Sequence, residues 1–311
     1  MKLYKYLSYE SALKTLSNNS VLLNNPLEYN DPFDCVIRPR VEDEKECYRR
    51  MVNYFFFKEF ANIILNKKVK IPFWLIPVRW EMKAFKKIMK RNPYYDKMSP
   101  FDWALRKAID RDETIRVLFR KQEKEKKDVF LKTIKKRIDE LSETLLVSCF
   151  SKTNDSILMW SHYGDKHRGV CIEFEVDPKD YVEVEYSKRR RQIDLKGITA
   201  ITLGHDFIGE EANADNPAIK KSLTKLLTTK SVDWEYESEY RTIRSSKEED
   251  GRTIFKKDKK YFLKMPEIKR VFVGCRFDKN NLEELHKTFG SLEIIEMVDS
   301  ENDYKVYEKT K

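Results

Sequence analysis

The sequence predicts an α+β fold in which a large helical insertion interrupts a core of short strands. Apolar and polar residues alternate in short runs near both ends of the chain, which is the period of a β-strand. Between residues 42 and 145, apolar residues instead recur at helical spacing within long charged stretches. We therefore expect residues 1–41 and 146–311 to form the α+β core and residues 42–145 to form a basic helical insertion.

The N-terminal segment predicts a strand, a short helix and a second strand. Residues 2–7 alternate and are rich in aromatic side chains, which favours a strand. Ser8 is a favourable N-cap for the helix that follows. Asn18 and Asn19 can adopt the left-handed conformation that ends a helix. Residues 21–23 then predict the second strand.

The insertion is basic as well as helical. Its clearest apolar stripe is formed by Phe130, Ile134, Ile138 and Leu141. Nine basic residues lie between positions 120 and 137, in a chain of formal net charge +10. Such a face attracts nucleic acid or another acidic partner, although a solvated helix face has the same composition.

A second basic cluster, Lys188-Arg189-Arg190-Arg191, lies in the C-terminal core region. That region predicts alternating strands and helices. Asp155 is the expected N-cap of the first helix. The predicted strands cover residues 145–151, 169–176, 181–186, 234–244, 271–274 and 292–297, and the predicted helices cover residues 157–163, 219–229 and 281–289.

The bulk properties favour a protein of the reducing cytoplasm without a membrane span. The longest apolar stretch, residues 71–78, is interrupted by two prolines and is far shorter than the roughly 20 residues a span needs. The N-terminus lacks the apolar region of a signal peptide. No cysteine lies within four residues of another, so we expect free thiols rather than a zinc site. The cysteines are Cys35, Cys47, Cys149, Cys171 and Cys275.

Polar candidates concentrate first at a predicted junction of strand and helix. Ser151 ends the strand, and Trp160, His162 and Tyr163 lie on the helix. Such a junction can bind a polar ligand that carries a planar ring. Trp160 and Tyr163 are three residues apart, so they are equally suited to form the core face of the helix.

The second concentration is acidic. If residues 234–244 form a strand, Glu235, Glu237 and Glu239 share one face with Arg241. Carboxylates in such a row repel one another unless cations or a ligand lie among them. The alternative is an exposed, solvated strand face.

Five short motifs together resemble the large bacterial family called domain of unknown function 2971. The resemblance covers both ends of the chain and skips the insertion. The motifs are Leu3-Tyr4-Lys5-Tyr6, Asn30-Asp31-Pro32-Phe33-Asp34, Ser148-Cys149-Phe150-Ser151, Met159-Trp160-Ser161-His162-Tyr163 and Glu237-Ser238-Glu239-Tyr240-Arg241. Asp31, His162 and Arg241 are candidate site residues as members of these motifs.

A more distant resemblance is to ADP-ribosyltransferase-type domains, in the opening strand–helix–strand unit and in Glu237-Ser238-Glu239-Tyr240. It implies a core of short, mostly antiparallel strands. It also implies that Glu239 is the catalytic acid and Glu237 its partner. These domains bind NAD as substrate, so the resemblance implies the same substrate here.

The same resemblance assigns the binding residues. Lys5, with Tyr6 beside it, falls where these domains have a His or Arg that holds the nicotinamide end of NAD. Ser151 lies on the strand that fits the fold, and Tyr163 or Trp160 would stack on the nicotinamide ring. Neither a metal nor a glycine-rich phosphate loop is required, and the sequence contains no Gly-x-Gly-x-x-Gly or Walker motif.

The first functional hypothesis is therefore an ADP-ribosyltransferase-like, NAD-using enzyme that acts on protein or nucleic acid, as a toxin or phage-defence effector does. The second is a non-catalytic binding or regulatory module of the same fold. The third is a nucleic-acid-acting protein such as a nuclease. We rank the nuclease last because no Glu-x-Lys follows Asp233, Glu235 and Glu237.

Overall fold

The computed structural model describes residues 1–37, 138–192 and 223–309, together with isolated positions between 70 and 136. The chain divides into two compact units. The first comprises Met1–Val36, Leu141–Arg191 and Leu227–Lys311, and the second comprises Ile37–Glu140 and Gln192–Leu226. The described positions between 76 and 140 are helical, but most of the predicted insertion lies outside the described residues.

The first unit is an α+β structure. Helix α1 (Tyr9–Asn18) follows the first strand, α2 (Ile157–His162) follows the third, and α3 (Lys279–Thr288) joins two late strands. In chain order the strands are β1 (Lys2–Leu7), β2 (Ser20–Leu23), β3 (Leu145–Ser151), β4 (Val170–Glu175), β5 (Val182–Glu183), β6 (Glu185–Ser187), β7 (Thr229–Ser231), β8 (Glu239–Ser245), β9 (Ile254–Lys257), β10 (Lys260–Lys264), β11 (Arg270–Val273), β12 (Glu293–Asp299) and β13 (Val306–Glu308).

The predicted N-terminal unit is confirmed, together with its end signals. The Ser8 side chain accepts a hydrogen bond from the backbone N–H of Ser11 and so caps α1, as small hydroxyl residues do. Asn19 ends the helix in the left-handed conformation, with φ of 46°. The chain then turns directly into β2.

The main sheet contains eight strands in the order β13-β12-β11-β4-β1-β3-β8-β5. Its neighbouring strands are antiparallel except for β11 and β12, which are parallel and connected through α3. The predicted preponderance of short antiparallel strands is therefore confirmed. A smaller sheet, β2-β10-β9, lies beside it.

Both faces of the main sheet are covered by apolar side chains. Leu3, Ile172 and Phe174 belong to the larger cluster, which also includes Ala12 of α1. Tyr6, Trp160 and several others form the smaller cluster on the opposite face. The alternation of β1 and β4 thus supplies apolar side chains to two cores, which explains why β4 is buried along most of its length.

The sheet opens along one edge of β3. β1 pairs with β4 along its whole length, but with β3 at a single position, Tyr4 opposite Ser151. At the other end of β3, Val147 exchanges backbone hydrogen bonds with Asn24, just after β2. Between these two contacts, the edge of β3 is paired with neither β1 nor β2, which leaves a gap between β1 and β3.

Four details differ from the expectations. Residues 234–244 are not one strand: Val232–Glu237 is a 3-10 helix, and β8 begins at Glu239. Residues 181–186 contain two strands, β5 and β6, which pair with different neighbours. In the predicted helix 219–229, the described helical part is residues 223–227, and Thr229 starts β7. Ser156 rather than Asp155 caps α2, because its hydroxyl reaches the backbone N–H of Met159.

Among the residues that the structure describes, no helix combines the length and the apolar character of a membrane span. Of the cysteines, Cys35 and Cys171 are buried free thiols, and Cys149 and Cys275 are partly buried. Cys275 lies two residues after the end of β11, and Cys47 lies outside the described residues.

Candidate functional site

A cavity of about 310 Å³ lies where the sheet opens along β3. We call it the central cavity. Residues of β1, β3, α2, β7 and β8 reach it, together with the segment after β2 and the 3-10 helix Val232–Glu237. Its lining includes Tyr4, Lys5, Tyr6, Tyr29, Asp31, Asp34, Ser148, Cys149, Ser151, Tyr163, Lys230, Trp234, Glu237 and Glu239.

Five charged side chains form a buried cluster at one wall of the central cavity. They are Asp34, Lys230, Glu237, Glu239 and Arg241, and each is exposed by 9% or less. Arg241 donates to both oxygens of Asp34 at 2.8 and 2.7 Å and to both oxygens of Glu239 at 2.7 and 2.9 Å. Lys230 donates to Glu237 and, at 3.1 Å, to Glu239. Three carboxylates thus share two cations inside the protein.

The pKa values of the two glutamates in the buried cluster are shifted in opposite directions. Burial by itself would raise the pKa of Glu239, but the Arg241 and Lys230 charges outweigh it and hold that pKa at about 2. Burial raises the pKa of Glu237, which Lys230 only partly offsets. Glu239 therefore keeps its negative charge more firmly than a free carboxylate does, whereas Glu237 holds a proton more readily than a free carboxylate does.

The local backbone explains how both glutamates reach one cavity. Ser231 caps the 3-10 helix by accepting a hydrogen bond from Asp233 N–H. Ser238 then adopts a left-handed conformation with φ of 44°, and the strand starts at the next residue. This turn changes the direction of the chain between Glu237 and Glu239. Glu235 is exposed, so the predicted row of three carboxylates on one strand face is wrong.

Lys5 bridges the gap between β1 and β3. Its Nζ donates to Ser148 Oγ at 3.0 Å and to the Cys149 carbonyl at 2.8 Å, and it lies 4.9 Å from the centre of the Phe150 ring. The carbonyl would otherwise be an unpaired group on the open strand edge. Burial lowers the pKa of Lys5, which the Cys149 and Glu239 charges partly offset.

Ser151 connects β3 to the acidic turn. It lies opposite Tyr4 on one side and opposite Glu239 on the other. Its hydroxyl donates to the Glu237 carbonyl at 2.8 Å. Tyr6 lines the same cavity and donates to the Thr153 carbonyl at 2.9 Å, so both side chains fix the backbone around the site.

The two aromatic candidates of α2 have different environments. Tyr163 lines the central cavity and donates from its hydroxyl to Glu237 at 2.7 Å. Trp160 is fully buried, packs edge-to-face on Tyr6 with the ring centres 5.1 Å apart, and donates to the Asn154 carbonyl. Trp160 is therefore a core residue that no ligand can stack on, whereas Tyr163 is one of several aromatic side chains that line the central cavity.

His162, Asp31 and Arg241 complete the predicted set. His162 lines a separate cavity of about 360 Å³ together with Tyr163, Trp234 and other residues, which we call the aromatic cavity. Asp31 lines the central cavity directly. Arg241 is fully buried behind Glu239 and takes part in the site through its ion pairs.

Two members of the buried cluster were not predicted. Asp34 was visible only as the last residue of the Asn30–Asp34 motif, and Lys230 was not singled out. The signal for Lys230 was the excess of acids after it: four acidic residues between positions 233 and 239 face one arginine, Arg241, in sequence. Of these four, Glu237 and Glu239 are buried, and two buried carboxylates beside one arginine require a second cation nearby.

Comparison with known proteins gives one match. Residues 159–242 match the model of a family described as "Protein of unknown function (DUF2971)". The matched segment contains Tyr163, Lys230, Glu237, Glu239 and Arg241, and it supports the resemblance to that family. No curated protein and no solved structure matches the chain.

Proposed function

We propose that this protein is an ADP-ribosyltransferase-like enzyme that uses NAD as substrate and breaks its bond between nicotinamide and ribose at the central cavity. The observation that carries the proposal is the pair Glu237 and Glu239, two carboxylates at one cavity wall with opposite pKa shifts. Paired carboxylates with separated pKa values are typical of sites that cleave glycosidic bonds.

Glu239 supplies the fixed charge. Cleavage of a bond to the anomeric carbon of ribose develops positive charge on the sugar ring, in an oxocarbenium-like transition state. The departing nicotinamide takes the bonding electron pair and leaves as a neutral ring, so it needs no proton. A carboxylate that stays ionised in a buried wall stabilises the positive charge that remains.

Glu237 supplies the base. The nucleophile that attacks the ribose, whether water or an acceptor group, must lose a proton. A carboxylate whose pKa is raised is a stronger base than a free carboxylate, so it takes that proton more readily. Tyr163 donates to one oxygen of Glu237 and Lys230 donates to the other, which fixes the direction of the carboxylate.

The remaining side chains suit the binding of the nicotinamide end. Tyr163 offers an aromatic ring beside Glu237, and Lys5 lies across the gap on the opposite side of β3. The central cavity, at about 310 Å³, is near the lower end of the range of about 300–1,000 Å³ for ligand pockets. It therefore suits a nucleoside-sized part of NAD, with the rest of the dinucleotide outside it.

One observation favours the second hypothesis, a non-catalytic binding module. Both oxygens of Glu239 already accept hydrogen bonds from Arg241, and one of them also accepts from Lys230. A carboxylate so occupied resembles a structural ion pair. The two hypotheses differ in whether NAD is consumed. The test is the same whether the acceptor is protein or nucleic acid.

The test is nicotinamide release from NAD by the wild type, Glu237→Gln and Glu239→Gln, with candidate acceptors supplied. We expect each substitution to lower the rate by about 100- to 1,000-fold, the usual effect of removing one electrostatic group from a transition state. Because Glu239→Gln also breaks buried ion pairs, thermal unfolding of each variant is measured in parallel. Glu237→Gln keeps the catalytic test interpretable if Glu239→Gln does not fold.

The matched control is Glu235→Gln. Glu235 lies in the same 3-10 helix, two residues before Glu237, but its side chain is exposed and outside the lining of the central cavity. It should release nicotinamide at the wild-type rate. Wild-type protein that binds NAD without releasing nicotinamide would support the binding module instead, and equal rates for wild type and Glu237→Gln would remove the catalytic assignment.

A further inference from the structure

A second cavity of about 320 Å³ adjoins the central one. We call it the basic cavity, because the consecutive residues Lys188, Arg189 and Arg190 line it. These residues follow β6 in a loop that the proposed chemistry does not use. Asp31, Asp34, Lys230 and Trp234 line both cavities, so the two cavities adjoin at these side chains.

The loop of the basic cavity is held in place by its neighbours. Arg190 donates to the Phe33 carbonyl at 3.1 Å, and its guanidinium lies 5.4 Å from the centre of the Phe33 ring. Arg191 binds both oxygens of Glu185 at 2.6 and 2.8 Å. Ser187 Oγ accepts from the backbone N–H of Arg189. The loop is thus fixed at both ends of the basic run.

Two cations of this run have exposed side chains at the basic cavity. Within the described residues, the Lys188 amine and the Arg189 guanidinium have no hydrogen-bond or ion-pair partner, although both line the basic cavity. Of the three acidic residues of the cavity, Asp34 is paired with a cation, whereas the hydrogen bonds to Asp31 and Asp233 come from neutral groups. Asp31 accepts from Phe33 N–H, Asp233 accepts from Ser231 Oγ, and Asp34 pairs with Arg241.

We propose that the basic cavity is a phosphate-binding subsite, and that it takes the diphosphate of a small ligand whose other end occupies the central cavity. Guanidinium and ammonium donors bind phosphate oxygens through charge-assisted hydrogen bonds. The hydroxyl of Ser187 in the same wall adds a neutral donor. A ligand in both cavities would pass Trp234, which lines them both.

This assignment deepens the proposed function, since NAD carries such a diphosphate, but its test is independent of bond cleavage. The probe is inorganic pyrophosphate alone, titrated calorimetrically at low salt into the wild type and into Lys188→Ala/Arg189→Ala. We expect the wild type to bind and the double variant to lose about tenfold or more in affinity for each lost charge-assisted hydrogen bond. Binding should also weaken steeply as salt rises.

The matched control is Lys256→Ala/Lys257→Ala, which removes an equally exposed basic pair from β9. It should bind pyrophosphate as the wild type does. Equal losses in both double variants would mean general charge attraction and would overturn the subsite, as would a wild type that binds no pyrophosphate. Glu237→Gln separates the two proposals: pyrophosphate binding by that variant tests the subsite alone, and its nicotinamide release tests the chemistry alone.

Discussion

The main sheet carries two ionic clusters with the same inventory of charges, and they differ in burial. The buried cluster at β8 combines three carboxylates with Lys230 and Arg241. On the other half of the sheet, a surface cluster does the same with Lys2 and Arg270. Its carboxylates are Glu173, Glu293 and Glu308. A tyrosine hydroxyl donates to one glutamate in each cluster.

The two clusters differ in how strongly solvent screens their charges. In the surface cluster Glu173 is 8% exposed, but Arg270 is 26% and Lys2 53% exposed, so water screens most of the charge. All five of its charged side chains lie outside the linings of the three cavities. The buried cluster lacks this screening and lies at a cavity, where its charges act strongly on a ligand. The charge pattern of the sequence alone does not distinguish the two.

The largest difference is expected for the two arginines. Arg241→Gln should lower the free energy of unfolding by about 3–5 kcal/mol, because it leaves three buried carboxylates with Lys230 as their one remaining cation among the described residues. Arg270→Gln should cost at most about 1 kcal/mol, since Arg270 is itself partly exposed, Glu293 and Glu308 are exposed, and the buried Glu173 keeps Lys2. Urea unfolding of both variants measures the difference. Equal costs for the two variants would mean that burial does not separate the clusters.

The second difference is expected in acid. The pKa of Glu239 in the folded protein is about 2, below the unfolded value of about 4.3, so its ionised form stabilises the fold above pH 4.3. That stabilisation, roughly 3 kcal/mol, should be lost as the pH falls from 4.3 towards 2. The raised pKa of Glu237 acts in the opposite direction and reduces stability as the pH rises through it.

The measurement is the free energy of unfolding between pH 2 and 7. Glu239→Gln should have a flatter acid limb than the wild type, whereas Glu293→Gln in the surface cluster should keep the wild-type slope. If Glu239→Gln is too unstable, the carbon-13 shift of the Glu239 carboxyl in the wild type reports the same titration. A midpoint near 4.3 for that carboxyl would contradict the assigned charge state.

Much of the fold could be predicted from the sequence, because its signals are local. The strand-forming runs of β1, β3, β4 and β12 and the caps of α1 are set by neighbouring residues, and the structure confirms these strands and caps. The stretch after β7 was mistaken for a strand because its aromatic and acidic residues alternate. Two serines set the conformation of this stretch instead. Ser231 caps a 3-10 helix, and Ser238 ends that helix in the left-handed conformation.

The site was less predictable, because its parts are brought together by tertiary contacts. Lys5 and Glu239 were identified through motifs, and they do line one cavity. Lys230 and Asp34 meet Arg241 only because β7, β8 and the segment after β2 converge. The gap between β1 and β3 depends on a single residue pair between those strands, which no periodic pattern encodes.

The smallest expected effect concerns the two tyrosines, and it connects the comparison to function. Tyr163→Phe removes a donor to the buried Glu237, and Tyr4→Phe removes a donor to Glu173, which keeps Arg270 and Lys2. A hydrogen bond to a charged group contributes about 1.5–3 kcal/mol when buried, so Tyr163→Phe should cost about 1.5 kcal/mol and Tyr4→Phe less.

Tyr163→Phe should also change the pH dependence of nicotinamide release. Its hydroxyl favours the ionised form of Glu237, so its removal should raise the pKa of Glu237 further. If Glu237 is the base, the acid limb of the rate profile moves to higher pH. Tyr9→Phe is the matched control, since Tyr9 donates to Glu284 at 3.0 Å away from the central cavity. Among the described residues, Glu237 is the one titrating side chain that accepts a hydrogen bond from the Tyr163 hydroxyl. If Tyr163→Phe leaves the acid limb unchanged, the base is therefore a group other than Glu237.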